Sequence, residues 1–143
     1  MKITSEWLEE QGACDGAILA FRQLFPGGAE ITEENCLKAG EAGLNFYWMA
    51  TDGVDMMDKQ LEKFYELDVI ASQEYADAER SLREIFDAVY EAAVAKYPYG
   101  GEIRHKLIED ARHIYNNALI PVSKAYRVKL AKAFWEVYSG EQR

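Results

Sequence analysis

Cysteine and histidine are scarce in this chain: its 143 residues contain two of each. Two cysteines cannot form a disulfide framework. Cys14 and Cys36 are also 22 residues apart and have no CxxC spacing, whereas zinc sites usually take four Cys or His ligands in close pairs. Each cysteine is at or beside a helix-start position where a small apolar side chain packs, and free cysteine behaves as a small hydrophobe. We therefore predict that both thiols are buried and structural.

Long apolar runs and a basic surplus are also missing. No segment approaches the roughly 20 apolar residues that span a bilayer, and the start MKITSEWLEE has no signal-peptide core, which predicts a cytoplasmic protein without a membrane partner. The net charge is −9. Residues 1–97 hold 20 acidic against 8 basic residues, whereas residues 98–143 hold 5 against 8. Such a chain is not expected to bind nucleic acid directly. The asymmetry suits two mutually attracting helices, or an acidic face that meets a basic partner.

The sequence contains no nucleophile elbow, Walker loop or dinucleotide-binding glycine motif, so we predict a non-enzymatic protein without a cofactor. One stretch leaves an alternative open, because the E-x-x-H spacing occurs in di-iron helical bundles. Its candidate metal ligands are Glu102, His105, Glu109 and His113. The competing interpretation is a solvated, salt-bridged helix face, since Arg104, Lys106 and Arg112 are interleaved with them.

Residues 1–51 carry the signals of three short helices in a compact module. Thr4, Asp15 and Thr32 are candidate N-caps, and each follows an apolar residue and precedes another four places later. Gly12, Pro26-Gly27-Gly28 and Gly43 are placed to end these helices.

Residues 52–143 predict a long antiparallel helical hairpin with a turn at 97–101. The first arm has a coiled-coil-like seam at alternating steps of three and four, broken only by Asp68, so that the helix either bends there or gives this carboxylate a partner. The seam is Val54, Met57, Leu61, Phe64, Asp68, Ala71, Tyr75, Ala78, Leu82, Ile85, Val89 and Ala92. The apolar residues of the second arm have a spacing closer to an eleven-residue repeat than to a heptad. Pro121 is expected to kink or restart this helix. Its seam is Leu107, Ala111, Ile114, Ala118, Val122, Tyr126, Leu130, Ala133 and Val137. The fold class predicted is all-α, in one structural unit.

Aromatic and acidic side chains supply the candidate binding residues. Phe46, Tyr47 and Trp48 either lock the module onto the long helices or form an exposed protein-binding anchor. Glu62, Glu66 and Glu74 are the acidic candidates on the first arm.

The first fifty residues resemble the opening of small phage and prophage proteins, which carry a W-L…G-A-C start, a T-x-E-N helix start and an A-G-L…W close. The matching positions here are Trp7, Leu8, Gly12, Ala13, Cys14, Thr32, Glu34, Asn35, Ala42, Gly43, Leu44, Trp48 and Ala50. The segment ALIPVSKAYRVKLAKAFWEVY is similar to their A-x-x-P-x-x-K-A-Y helical repeats through Pro121, Lys124, Ala125 and Tyr126. The resemblance implies a mobile-element origin and no particular reaction.

Three functions are consistent with the sequence. The leading hypothesis is a helical interaction protein that docks on a host or phage protein, for example a nucleic-acid-binding defence protein that it inhibits as anti-CRISPR proteins do. The second is a structural or assembly protein that works as a coiled-coil homo-oligomer. The third is a metal-dependent helical-bundle enzyme that uses the Glu/His stripe.

Overall fold

The computed structural model describes residues 1–140 and confirms the predicted all-α architecture, in which short helices precede a hairpin of two long packed helices. The short helices are α1 (Ser5–Glu10), α2 (Asp15–Leu24), α3 (Glu33–Glu41) and α4 (Phe46–Trp48). The long ones are α5 (Asp58–Lys96) and α6 (Glu102–Gly140), joined by the predicted turn at 97–101.

The helix-start and helix-stop residues explain the short helices. The Thr4 and Thr32 side chains accept hydrogen bonds from the backbone N–H groups of Trp7 and Asn35, so both predicted N-caps are confirmed. Gly43 adopts φ +90° after α3, and its N–H and that of Leu44 close back onto carbonyls of the last turn, which is a Schellman ending. The cap of α2 is Cys14, whose side chain makes no capping bond, so the prediction of Asp15 was wrong by one residue.

A two-residue antiparallel ladder, which was not predicted, joins the start of the chain to the loop after α2. Strand β1 (Lys2–Ile3) pairs with β2 (Ala29–Glu30), with Ile3 opposite Ala29. Ile3 and Ala29 are buried in one apolar cluster with Leu8, Ile18 and Phe21, so the ladder contributes to that cluster.

One boundary of the long helices, the start of α5, differs from prediction. Helix α5 begins at Asp58 instead of Asp52, because residues Met49–Gly53 form a single π-helical turn that ends at Val54. Helix α6 does not restart at Pro121 but continues through it to Gly140. Pro121 is exposed, so water can hydrate the carbonyl that its ring leaves without a partner.

The chain forms two compact units. Among the described residues, the first comprises 1–72 and 124–140, and the second comprises Gln73–Ser123. The first unit holds nearly all of the buried apolar residues, among them Phe64 and Phe134, which are almost completely enclosed. Helices α3 and α6 approach closely within this unit, since a Cβ on Gly40 would lie 2.7 Å from the Ala131 Cβ.

The strict heptad seam predicted for α5 is not buried in the second unit. Ile85 is 64% exposed, and Val89 and Ala92 are also exposed. The half-buried or buried positions include Tyr75 and Phe86, and Leu82 and Ala93, two pairs that are each eleven residues apart. A straight α-helix drifts about 20° per heptad, so a seven-residue pattern turns away from its neighbour over this length.

Within residues 1–140, none of the helices is both long and apolar enough to cross a membrane.

Candidate functional site

Asn45 starts the helical turn that presents the three predicted aromatic residues. Its side-chain oxygen accepts a hydrogen bond from the Trp48 backbone N–H at 3.1 Å. Phe46 is only 5% exposed, and its ring lies 5.2 Å from that of Phe134. Phe46 is therefore part of the core of the first unit and does not belong to a contact surface.

Tyr47 points outward from the same turn. It is 41% exposed, and its ring centroid lies 6.1 Å from each of the rings of Phe64 and Tyr65. Tyr65 is also 41% exposed, although it was not among the predicted binding residues. Its only signal was a large aromatic residue just off the predicted seam. The two tyrosines form an exposed pair above the buried ring of Phe64.

Trp48 is half-buried and packs inside the first unit. Its ring lies against Gly53, where an added Cβ would come within 3.2 Å of it. It also packs against the core cluster that contains Leu8, Ile18 and Phe21. Trp48 therefore supports the turn that carries Tyr47, and only part of its ring is available to a partner.

The acidic candidates divide between the two units. Glu62 and Glu66 are exposed on the first unit, one turn apart on α5, and neither forms an ion pair with another residue in 1–140. Val69 continues the same helix face and is 66% exposed. Glu74 lies in the second unit and has interactions of its own. We call Tyr47, Glu62, Tyr65, Glu66 and Val69 the tyrosine surface.

Asp68, the polar residue in the predicted seam, has a partner on the other long helix. The Tyr126 hydroxyl donates to Asp68 Oδ1 at 2.8 Å, and α5 continues through this position without a break. Burial of the phenol and its hydrogen bond to the Asp68 carboxylate raise the pKa of Tyr126. Asp68 is half-buried, so its carboxylate is stabilised by the bond and by remaining contact with water.

The second unit contains a similar pair. The Tyr115 hydroxyl donates to Glu79 Oε1 at 2.7 Å, and Arg83 forms an ion pair with the same carboxylate. The hydrogen bond from Tyr115, followed by that from Arg83, lowers the pKa of Glu79. The same bond to Glu79 raises the pKa of Tyr115. The arrangement links the two helices of this unit through side chains.

The Glu/His stripe of α6 does not converge on one point in the described chain. Glu109 forms an ion pair with Arg112, and Glu102, His105 and His113 are exposed. No group of three or more His, Cys, Asp or Glu residues within 1–140 is placed to hold a metal ion.

The two cysteines differ in environment, so the prediction for Cys14 was wrong. Cys36 is 5% exposed, and burial, with a smaller effect from Glu33, raises the pKa of its thiol to about 12. Cys14 is exposed, because a residue at the N-cap lies at the end of a helix and not on its packed face. Both thiols are free.

The second unit has an open groove between its two helices, with a volume of about 340 Å3. We call it the open groove; it is lined by Leu82, Ile85, Phe86, Val89, Leu107, Asp110, Ala111, Ile114, Tyr115 and Ala118. Ile114 is 69% exposed and Ile85 is 64% exposed, so the groove is open to solvent.

Comparison with known proteins gives the chain no relatives: no family model matches it, and no curated protein and no solved structure is detectably similar to it.

Proposed function

We propose that this protein is a non-enzymatic, helical interaction protein that binds another protein through its tyrosine surface. The observation that carries the proposal is the pair formed by Tyr47 and Tyr65, whose exposed rings lie 6.1 Å apart. Tyrosine is enriched at the energetic centres of protein interfaces, because its ring buries a large area while its hydroxyl stays hydrogen-bonded.

The surroundings of this pair favour a basic partner. Glu62 and Glu66 flank Tyr65 on α5 and make no ion pair within the described residues. Residues 1–97, which include the surface, carry 20 acidic and 8 basic side chains. The negative electrostatic field of these side chains accelerates association with a positively charged protein and disfavours association with an acidic one.

Rigid support beneath the surface adds to the proposal. Tyr47 sits on a turn capped by Asn45, and the Thr51 hydroxyl donates to the Tyr47 carbonyl at 3.0 Å. Beneath the pair, Phe64 is completely buried. A fixed aromatic anchor loses little conformational entropy when it binds, which favours affinity.

The resemblance to phage proteins suggests the kind of partner. We propose a host protein with a basic, nucleic-acid-binding groove, which the acidic surface would occupy in place of nucleic acid. Inhibition of a defence protein in the manner of an anti-CRISPR protein is one form of this activity.

The test is capture from bacterial lysate with the tagged full chain, read by mass spectrometry after washes at low and high salt. We expect one basic protein to be recovered by wild type, to be lost with Tyr47→Ala/Tyr65→Ala, and to be retained with Tyr99→Ala. Tyr99 is fully exposed in the turn after α5 and serves as the matched control. Glu62→Gln/Glu66→Gln should weaken capture mainly at low salt, where charges are least screened. Equal capture by the Tyr47/Tyr65 and Tyr99 variants would rule out the tyrosine surface.

A further inference from the structure

We propose that the open groove is the dimer interface of this protein, in which the hairpin of a second copy closes a four-helix bundle. The proposal is independent of the tyrosine surface, since the groove lies wholly within the second unit.

The groove collects the periodic apolar positions of both arms. On α5 the predicted seam residues Leu82, Ile85 and Val89 line it. On α6 the predicted seam residues are Leu107, Ala111, Ile114 and Ala118, and all four line it. A pattern of this kind is expected to be buried, yet Ile85, Val89, Leu107 and Ile114 are each at least 40% exposed.

The second unit lacks a covering layer of its own. A helical domain buries its apolar stripes between at least two layers of helices. In the first unit the short helices supply packing partners, and Phe64, Phe134 and Val137 are buried there. Among the described residues of the second unit, only Ala93 is buried.

The lining of the groove is also nearly free of charge. Asp110 is the one charged residue among the ten that line it. Ala88 and Ala92 extend the same side of α5, are exposed, and are small enough for another helix to approach closely. Depletion of charge with apolar residues in the centre is characteristic of interface cores.

The area available suits a dimer. The α5 and α6 segments of this unit are 24 and 22 residues long, which corresponds to about 36 Å and about 33 Å at 1.5 Å per residue. Two helices each about 10 Å wide then give a face of roughly 700 Å2 per copy. A stable interface buries about 800 Å2 per partner.

The charges select the arrangement of the helices. Residues 73–96 hold six acidic and three basic side chains, whereas residues 102–123 hold three of each and both histidines. If α5 packed against α5 of the second copy, two acidic helices would repel each other. Placing α5 against α6 of the second copy avoids this repulsion and gives every helix two unlike neighbours, as in four-helix bundles.

The experiment is sedimentation equilibrium of the purified full chain from micromolar to millimolar concentration. Wild type is expected to reach twice the 16.3 kDa mass of one chain. Ile85→Lys/Ile114→Lys should weaken association at least about 100-fold, because each lysine would be buried without a partner. Both positions are exposed in the single chain, so the variant should keep its helical circular dichroism.

Two further variants keep the test specific. Ile120→Lys is the matched control, since Ile120 is 62% exposed on α6 but does not line the groove; it should dimerise as wild type does. Asp110→Leu removes the charge from the groove and should tighten the dimer at least about tenfold. A wild type that stays at 16.3 kDa throughout, or a dimer that persists in Ile85→Lys/Ile114→Lys, would overturn the proposal. A monomer whose groove takes a different protein would overturn it too.

Discussion

Tyr126 of α6 donates its phenolic hydrogen to Oδ1 of Asp68 on α5, with 2.8 Å between the two oxygens. Eleven residues along each helix, Tyr115 donates to Glu79 in the same way. An eleven-residue spacing is the period of a nearly straight helix, so it brings equivalent positions back to the same face. Each tyrosine of α6 donates a hydrogen bond to a carboxylate on α5, and the two pairs are eleven residues apart along each helix.

Replacing Tyr126 with Phe should destabilise the fold by about 1 kcal/mol, because the Asp68 carboxylate loses the hydrogen bond from the phenol. The loss is not larger because Asp68 keeps some contact with water. The measurement is the free energy of unfolding in urea at pH 7. Tyr99→Phe is the control, because Tyr99 is fully exposed. Equal losses in the two variants would contradict a structural role for the Tyr126–Asp68 bond.

The same bond predicts a dependence on alkaline pH. The pKa of Tyr126 is raised by burial and by Asp68, so the folded protein holds this proton above the pH at which an unfolded tyrosine, with a pKa of about 10, releases it. The contribution to stability is complete below that value and is lost as pH rises through the folded-state pKa. The stability difference between wild type and Tyr126→Phe should therefore shrink above about pH 10. A difference that stays constant would contradict a raised pKa of Tyr126, and a difference that grows would mean that its pKa is lowered.

Gly40 allows α3 to approach α6, and an alanine there should cost stability. Its Cβ would lie 2.7 Å from the Ala131 Cβ and 3.2 Å from the Arg127 carbonyl oxygen. Overpacking costs about 1–3 kcal/mol, against a gain of about 1 kcal/mol from helix propensity, so we expect a net loss of about 1 kcal/mol.

Gly16→Ala in α2 is the control for Gly40→Ala, because nothing lies within 4 Å of the added Cβ. It should be neutral or stabilising by up to about 1 kcal/mol. If the melting temperature of Gly40→Ala equals or exceeds that of Gly16→Ala, the close approach of α3 and α6 is wrong.

The two thiols should react at very different rates. Cys14 is exposed, whereas Cys36 is buried and its thiol has a pKa of about 12. A thiol reagent at pH 8 should therefore label one cysteine per folded chain quickly and the second only after unfolding. Cys14→Ser should abolish the fast phase. Two fast thiols in the folded wild type would contradict the packing around Cys36.

The sequence predicted those parts of the fold that depend on local chemistry. Thr4 and Thr32 are hydroxyl caps and Gly43 is a left-handed helix end, and each of these signals acts within a few residues. The hairpin followed from apolar periodicity, because two long amphipathic helices joined by a short turn have to pack.

Other features depend on contacts that a linear pattern does not contain. The β1–β2 ladder has two residues per strand, too few for an alternating pattern. Cys14 was expected to be buried as the apolar residue before an Asp15 cap, but it is the cap itself and lies at the exposed end of α2. For the candidate site, the sequence left open whether Tyr47 packs against the long helices or is exposed, and its pairing with Tyr65 depends on how α4 packs against α5.

The seam of α5 shows why periodicity alone was insufficient. Leu82 and Ile85 both fit the heptad, yet Leu82 is half-buried and Ile85 is 64% exposed. The sequence indicates that both should be covered, and the single chain covers only one of them. A second copy would account for this difference.

Hydrogen–deuterium exchange of the full chain at low and high concentration tests most directly whether the fold is completed by contact with another chain. We expect amides of residues 73–96 and 102–123 to exchange more slowly as concentration rises, while the remaining parts of α5 and α6 stay unchanged. Exchange in these segments that is independent of concentration, and as slow as that around Phe64 and Phe134, would show that the second unit is complete without a partner.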